Sequence, residues 1–135
     1  MRKFLLTLGA VTAAVAAPAL AAAKGDGEAE LARELEGLTA GKPVSCINLR
    51  DARNSRIIDG TAIVYESGST LYVNRPRGAR SLDNWDVLVT KLHSGSQLCR
   101  MDSVDLYDRG ARMQSGFVIL EDFVPYKKAR AAAGE

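Results

Sequence analysis

Apolar residues fall into three regimes along the chain. They run almost unbroken from Phe4 to Leu20, recur at helical spacing from Leu31 to Leu38, and from Val44 onward come in short bursts separated by Gly, Asp, Ser and Arg. In the middle regime, EAELARELEGL sets Leu31, Leu35 and Leu38 on one helical face, with acids toward its start and Gly37 and Gly41 able to end it. This predicts one short amphipathic helix. The third regime contains VSCINL, RIIDGTAIVYE, TLYVNR, DVLVTKL, SQLCRM, SVDLYD and GFVILEDFV, which read as about six or seven strands.

The joints refine that pattern. ESGST between two Val- and Tyr-bearing runs is a hairpin signal, and DRGARMQSG reads as a longer loop. Asp59-Gly60 has two readings, a tight turn or a bulge in one long strand bending around a barrel. RPRGARSLDNWD is expected on the surface, with a helical turn starting near Ser81. The fold class expected is mainly β: a small antiparallel barrel or strongly curved sheet, capped by the N-terminal helix. The organisation expected is a signal peptide at residues 1–23, a polar start and short helix at 24–42, a β domain at 43–126, and a flexible tail at 127–135.

The first regime changes the cellular setting. Arg2 and Lys3 precede the apolar run, and Ala19-Leu20-Ala21 and Ala21-Ala22-Ala23 suit signal peptidase, so cleavage near Ala21 to Ala23 and export to the periplasm are expected. No cysteine follows the cleavage region and no later stretch has the length and apolarity of a membrane span. Once Arg2 and Lys3 leave, about sixteen basic and sixteen acidic side chains remain, so the charge gives no argument for nucleic acid. The remaining length, about 112 residues, suits one domain, taken as a monomer.

Export gives the two cysteines a context. Cys46 in PVSCINLR and Cys99 in QLCRMDS are expected to form a disulfide in an oxidising compartment. Closing so long a loop stabilises by about 4 kcal/mol on the chain-entropy estimate. The alternative is a thiol-dependent enzyme or redox protein in which a free Cys99 works with His93, the one histidine. Two cysteines and one histidine lack the paired short spacings of a zinc site. Asp102, Asp105 and Asp108 recur every third residue, which suits neither a calcium loop nor convergence from one strand face, so exposed strand or turn carboxylates are expected.

Taken together, SCI, IIDGTAIVY, YVNRP, QLCRMDSVDL and GFVILEDFVPY resemble a family of small exported proteobacterial proteins that bear a domain of unknown function. The resemblance spans about residues 43–126. It implies a periplasmic setting and a compact β-rich domain, and it supplies no reaction and no functional residue.

Two features could serve binding. Arg75, Arg77 and Arg80 surround a proline and a glycine in YVNRPRGAR, where guanidinium forks could grip an anion or glycan carboxylates, or could pair with nearby Asp83 or Asp86. Trp85, if buried, plugs the barrel end, which is the expectation; if exposed, it offers a stacking or interface residue. The nucleophile elbow, metalloprotease helix, P-loop and dinucleotide fingerprints are absent from the sequence, and adjacent Glu121 and Asp122 would face apart in a strand. The reading is a non-catalytic periplasmic binding or protein-interaction module without cofactor or metal. Its partner is a protein or small-molecule ligand of unknown identity, and a small-anion or glycan binder through the arginine loop is the alternative.

Overall fold

The computed structural model describes residues 26–93 and 95–129. The expected signal peptide, Ser94 and the tail from residue 130 lie outside the described residues. Helix α1 (Gly27–Glu34) opens on Asp26, whose carboxylate accepts a hydrogen bond from the Ala29 amide at 3.2 Å. Its buried face carries Leu31. The helix ends at Leu35 because Gly37 takes a left-handed φ of 75° and turns the chain into strand β1 (Leu38–Ala40). Leu38, expected as a third helical position, is therefore in a strand.

Nine further strands follow: β2 (Cys46–Asn48), β3 (Ala52–Ile58), β4 (Ala62–Ser67), β5 (Thr70–Asn74), β6 (Asp86–Thr90), β7 (Gln97–Cys99), β8 (Ser103–Asp108), β9 (Met113–Ile119) and β10 (Phe123–Lys128). They form three antiparallel sheets, ordered β1-β10-β5-β4-β3, β2-β7 and β6-β8-β9. Isolated bridges, Val44 to Phe123 and Arg77 to Ile119, tie them together.

The architecture is mainly β as expected, but among the described residues the barrel does not close. Strands β1, β3, β6 and β9 remain sheet edges, and ten short strands replace the six or seven inferred from apolar bursts. RIIDGTAIVYE is two strands, because Asp59-Gly60 is a tight turn: Gly60 has φ 59° and the Thr61 amide donates to the Ile58 carbonyl at 3.0 Å. GFVILEDFV is also two strands, β9 and β10, in different sheets. ESGST is the hairpin predicted, with Gly68 at positive φ as the first central residue, the position where a two-residue turn of type II′ needs glycine. The helical turn in the RPRGARSLDNWD loop is a 3-10 segment, Ala79–Ser81, that ends rather than starts at Ser81. Strand β10 reaches Lys127 and Lys128, which pair with Thr39 and Leu38.

Alternation along β3, β4 and β5 sends side chains to two different cores. Ile57, Ile63 and Tyr65 face inward with Leu82, Leu98, Val104, Leu106, Val118, Leu120 and Phe123. Ile58, Ala62, Val64 and Val73 face the other way, under Leu31 of α1. The five-stranded sheet is thus covered on both faces, which explains why AIVY is apolar at consecutive positions. Gly27 lets α1 lie close to the sheet, since a Cβ there would collide with the Thr61 hydroxyl and the Asp59 carbonyl.

The β2-β7 ribbon has three residues per strand, too few to persist alone. Cys46 and Cys99 oppose each other in it, 4.0 Å apart at Cα, and are joined by a disulfide. The Arg100 amide donates to the Ser45 carbonyl at 2.6 Å, so the cysteines occupy a ladder position without mutual backbone bonds, where opposing side chains come closest.

Two outcomes follow from this packing. Gly27→Ala should lower stability by up to about 2 kcal/mol in urea denaturation, because an overpacking cost of about 1–3 kcal/mol against a backbone carbonyl is offset by a helix-propensity gain of at most about 1 kcal/mol; a stabilised variant would refute the close approach. Replacing Cys46 and Cys99 together by alanine should cost about 3–4 kcal/mol, read as a lower urea midpoint. An unchanged midpoint would mean that packing alone holds the ribbon.

Candidate functional site

The arginine loop leaves β5 at Asn74, which is fully buried and clamps the segment between β9 and β10: its side-chain amide donates to the Glu121 carbonyl at 2.6 Å and its side-chain oxygen accepts from the Glu121 amide at 3.2 Å. That clamp fixes where the arginines emerge. Arg75 forms a bidentate pair with Glu28 of α1, at 2.6 and 3.0 Å. Hydrogen bonds from Arg75 hold the Glu28 carboxyl below the usual carboxylate range, and the same contact raises Arg75. Arg77 is bound to Glu121, and its backbone bridges Ile119 in both directions at 2.8 and 3.2 Å. Arg80 is exposed and makes no ion pair among the described residues.

The three guanidiniums therefore do not converge on one ligand position. Two of them fasten α1 and the β9-β10 link to the loop. Neither Asp83 nor Asp86 is their partner: Asp83 accepts from the Trp85 amide at 2.9 Å, and Asp86 accepts from the Ser115 hydroxyl at 3.0 Å. A cleft of about 540 Å³ between the β2-β3 and β4-β5 turns is lined by Arg50 and Arg53 but equally by Asp51 and Glu66, which leaves it without a bias toward anions.

Three aspartates singled out by spacing have three separate tasks. The Asp102 carboxylate accepts from the Cys99 amide at 2.8 Å and shapes the turn that carries Met101 at φ 75°. Asp108 accepts from the Ala111 amide at 2.7 Å in the β8-β9 loop. Asp105 departs from the expected exposure. It is only 8% exposed, with Lys91 Nζ at 3.1 Å and the Gln114 side-chain amide at 3.2 Å. Among the described residues no cluster of three potential metal ligands exists. Both cysteine sulfurs are consumed in the disulfide, so Cys99 presents no thiol to His93, whose ring is exposed and lies 4.0 Å from Asp102. Glu121 and Asp122 bind different arginines, Arg77 and Arg100.

Trp85 does not plug a barrel end. It is 60% exposed beside the β8-β9 loop, with its indole nitrogen close to Gly110. It occupies the turn immediately before β6. Cross-strand register continues the surface: Val87 lies opposite Tyr107, and Val89 opposite Asp105, which lies opposite Phe117. Val87, Val89, Tyr107 and Phe117 are all exposed, Phe117 at 58%, while Leu88, Leu106 and Val118 take the opposite face into the core. This outer face of β6-β8-β9 was not singled out from the sequence. Its signal is VLV in DVLVTKL, apolar at both parities in a strand whose sheet is covered on one side only.

No family model, curated protein or solved structure matches the chain.

One buried group has no evident task. Tyr65 stacks edge-on against Phe123, ring centroids 5.9 Å apart, and its hydroxyl is buried without a hydrogen-bond partner among the protein groups described. Burial pushes its pKa up, because ionisation would strand a charge in the core. Tyr65→Phe should be neutral or stabilising by about 1 kcal/mol in thermal or urea unfolding, since it removes an unsatisfied polar atom and keeps the ring. A loss of more than about 1 kcal/mol would mean that the hydroxyl holds a bond to buried water.

Proposed function

We propose that this protein is an exported, disulfide-stapled, non-catalytic interaction module that docks another protein's apolar surface on the outer face of β6-β8-β9. The observation that supports the reading is the display of Phe117 beside Val87, Val89 and Tyr107 on one solvent-facing sheet surface, with exposed Trp85 in the turn that enters its first strand. Exposed aromatic residues massed on one face mark protein interfaces, and Trp and Tyr are the side chains that most often anchor them. The aliphatic members of the patch give a glycan or small anion no polar handle. The central carboxylate, Asp105, is already neutralised by Lys91, so an apolar partner meets no bare charge. The arginine-loop alternative is less well supported, since only Arg80 lacks an acidic partner. An oxidising compartment suits the disulfide and the expected signal peptide.

The test is site-directed photocrosslinking in the producing cell. A crosslinker at position 117 should give a discrete adduct that Trp85→Ala abolishes, whereas one at exposed Glu36, beyond α1, should give none. Because Trp85 and Phe117 are exposed, Trp85→Ala and Phe117→Ala should each change stability by less than about 0.5 kcal/mol. Equal crosslinking at both positions, or loss of fold in either alanine variant, would sink the proposal.

A further inference from the structure

Strands β3 and β6 are the terminal strands of two different sheets, and residues of both line one cleft. At one end the Gly60 amide donates to the Leu82 carbonyl at 3.0 Å and the Asn84 amide donates to the Asp59 carboxylate at 2.5 Å, which pins the β3-β4 turn to the segment entering β6. Along their lengths no backbone hydrogen bond joins them among the described residues. Instead, residues 55–57 on one side and 86–88 on the other line a cleft of about 300 Å³.

We infer that this seam takes an extended polypeptide segment carrying an acidic side chain, which pairs with both strand edges and completes the sheet between them. Each edge presents a row of backbone N–H and C=O groups that an extended chain satisfies as a ladder. At about 3.3 Å per residue, the three-residue walls accommodate about three residues of such a segment. Charge selects its side chain. Arg56 in the wall is bound to Glu34 and lies near Glu66, and the buried Asp86 carboxylate is turned to Ser115, but Arg109 makes no ion pair among the described residues. It is the accessible cation of the cleft, and a carboxylate is its natural partner. A folded second copy does not meet these conditions, because its edge strand brings a neighbouring strand that would run into β3 or β6. The occupant is thus a terminal or unstructured segment. The inference does not rest on the apolar outer face, with which the cleft shares only Val87.

The experiment is an NMR titration of the isotope-labelled, disulfide-bonded protein with a capped peptide of alternating threonine and valine bearing one central glutamate. The same peptide with lysine at the centre, and a backbone N-methylated form of the glutamate peptide, serve as probes of charge and of ladder formation. Binding should shift the amides of residues 55–57 and 86–88 and slow hydrogen exchange at those among them that face the seam without a backbone acceptor, which excludes Asp86, whose amide donates to the Asp83 carbonyl. The lysine peptide should bind about tenfold more weakly, and Arg109→Ala should erase that difference while Arg109→Lys retains part of it. The N-methylated peptide should not bind. Unshifted seam amides at millimolar glutamate peptide, shifts confined to the face of Trp85 and Phe117, or equal binding by the N-methylated form would overturn the ladder. A charge preference untouched by Arg109→Ala would overturn the assignment of the acidic side chain.

Discussion

Strand β4 is buried on both faces, by α1 on one side and by side chains from the other two sheets on the other, and most of the molecule is arranged around that double burial. A sheet with one face in water can keep its helix loosely attached. Here the helix must cover Ile58, Ala62, Val64 and Val73, so it is drawn close enough that glycine is required at its first turn. On the opposite face, Ile63 and Tyr65 demand cover that one small sheet cannot give. Two further sheets supply it, and their edges are left open as a consequence.

The polar residues that look available for chemistry are largely spent on holding these pieces in register. Asn74 ties the β9-β10 link to β5 from a fully buried position, Arg77 and Glu121 reinforce the same junction from outside, and Arg75 reaches across to Glu28 on the helix. Asp102 shapes the turn after Cys99, next to the disulfide that keeps the three-residue ribbon from fraying. Exposed ion pairs such as these each contribute little stability, about 0–1 kcal/mol, but they fix the orientation of chain segments whose apolar contacts are made elsewhere.

What the molecule offers to partners is accordingly apolar surface and unpaired backbone rather than concentrated charge. The outer face of β6-β8-β9 and the seam beside β6 meet at Val87, whose side chain belongs to the first and whose position in the strand borders the second. Both depend on β6 being an edge strand. Had it paired with β3, neither the seam nor the free approach to Trp85 along that edge would exist.

Local patterns alone were enough to announce the helix around Leu31, the hairpin at Gly68, the β-rich class and the pairing of the only two cysteines, because each depends on residues near in sequence or on a choice with one outcome. The tight turn at Asp59-Gly60 was half legible, since a turn and a bulge demand the same glycine. Sheet membership was not legible: GFVILEDFV is apolar on both sides of Glu121-Asp122, and only the pairing of its first half with β8 and of its second with β5 and β1 sends the halves to different sheets. Nor could spacing reveal that Arg75 and Arg77 find their acids 47 and 44 residues away rather than at Asp83 or Asp86, or that Trp85 stands in solvent. Periodicity specifies which residues share a face, whereas whether that face is covered is settled by the long-range packing of elements the local pattern does not connect.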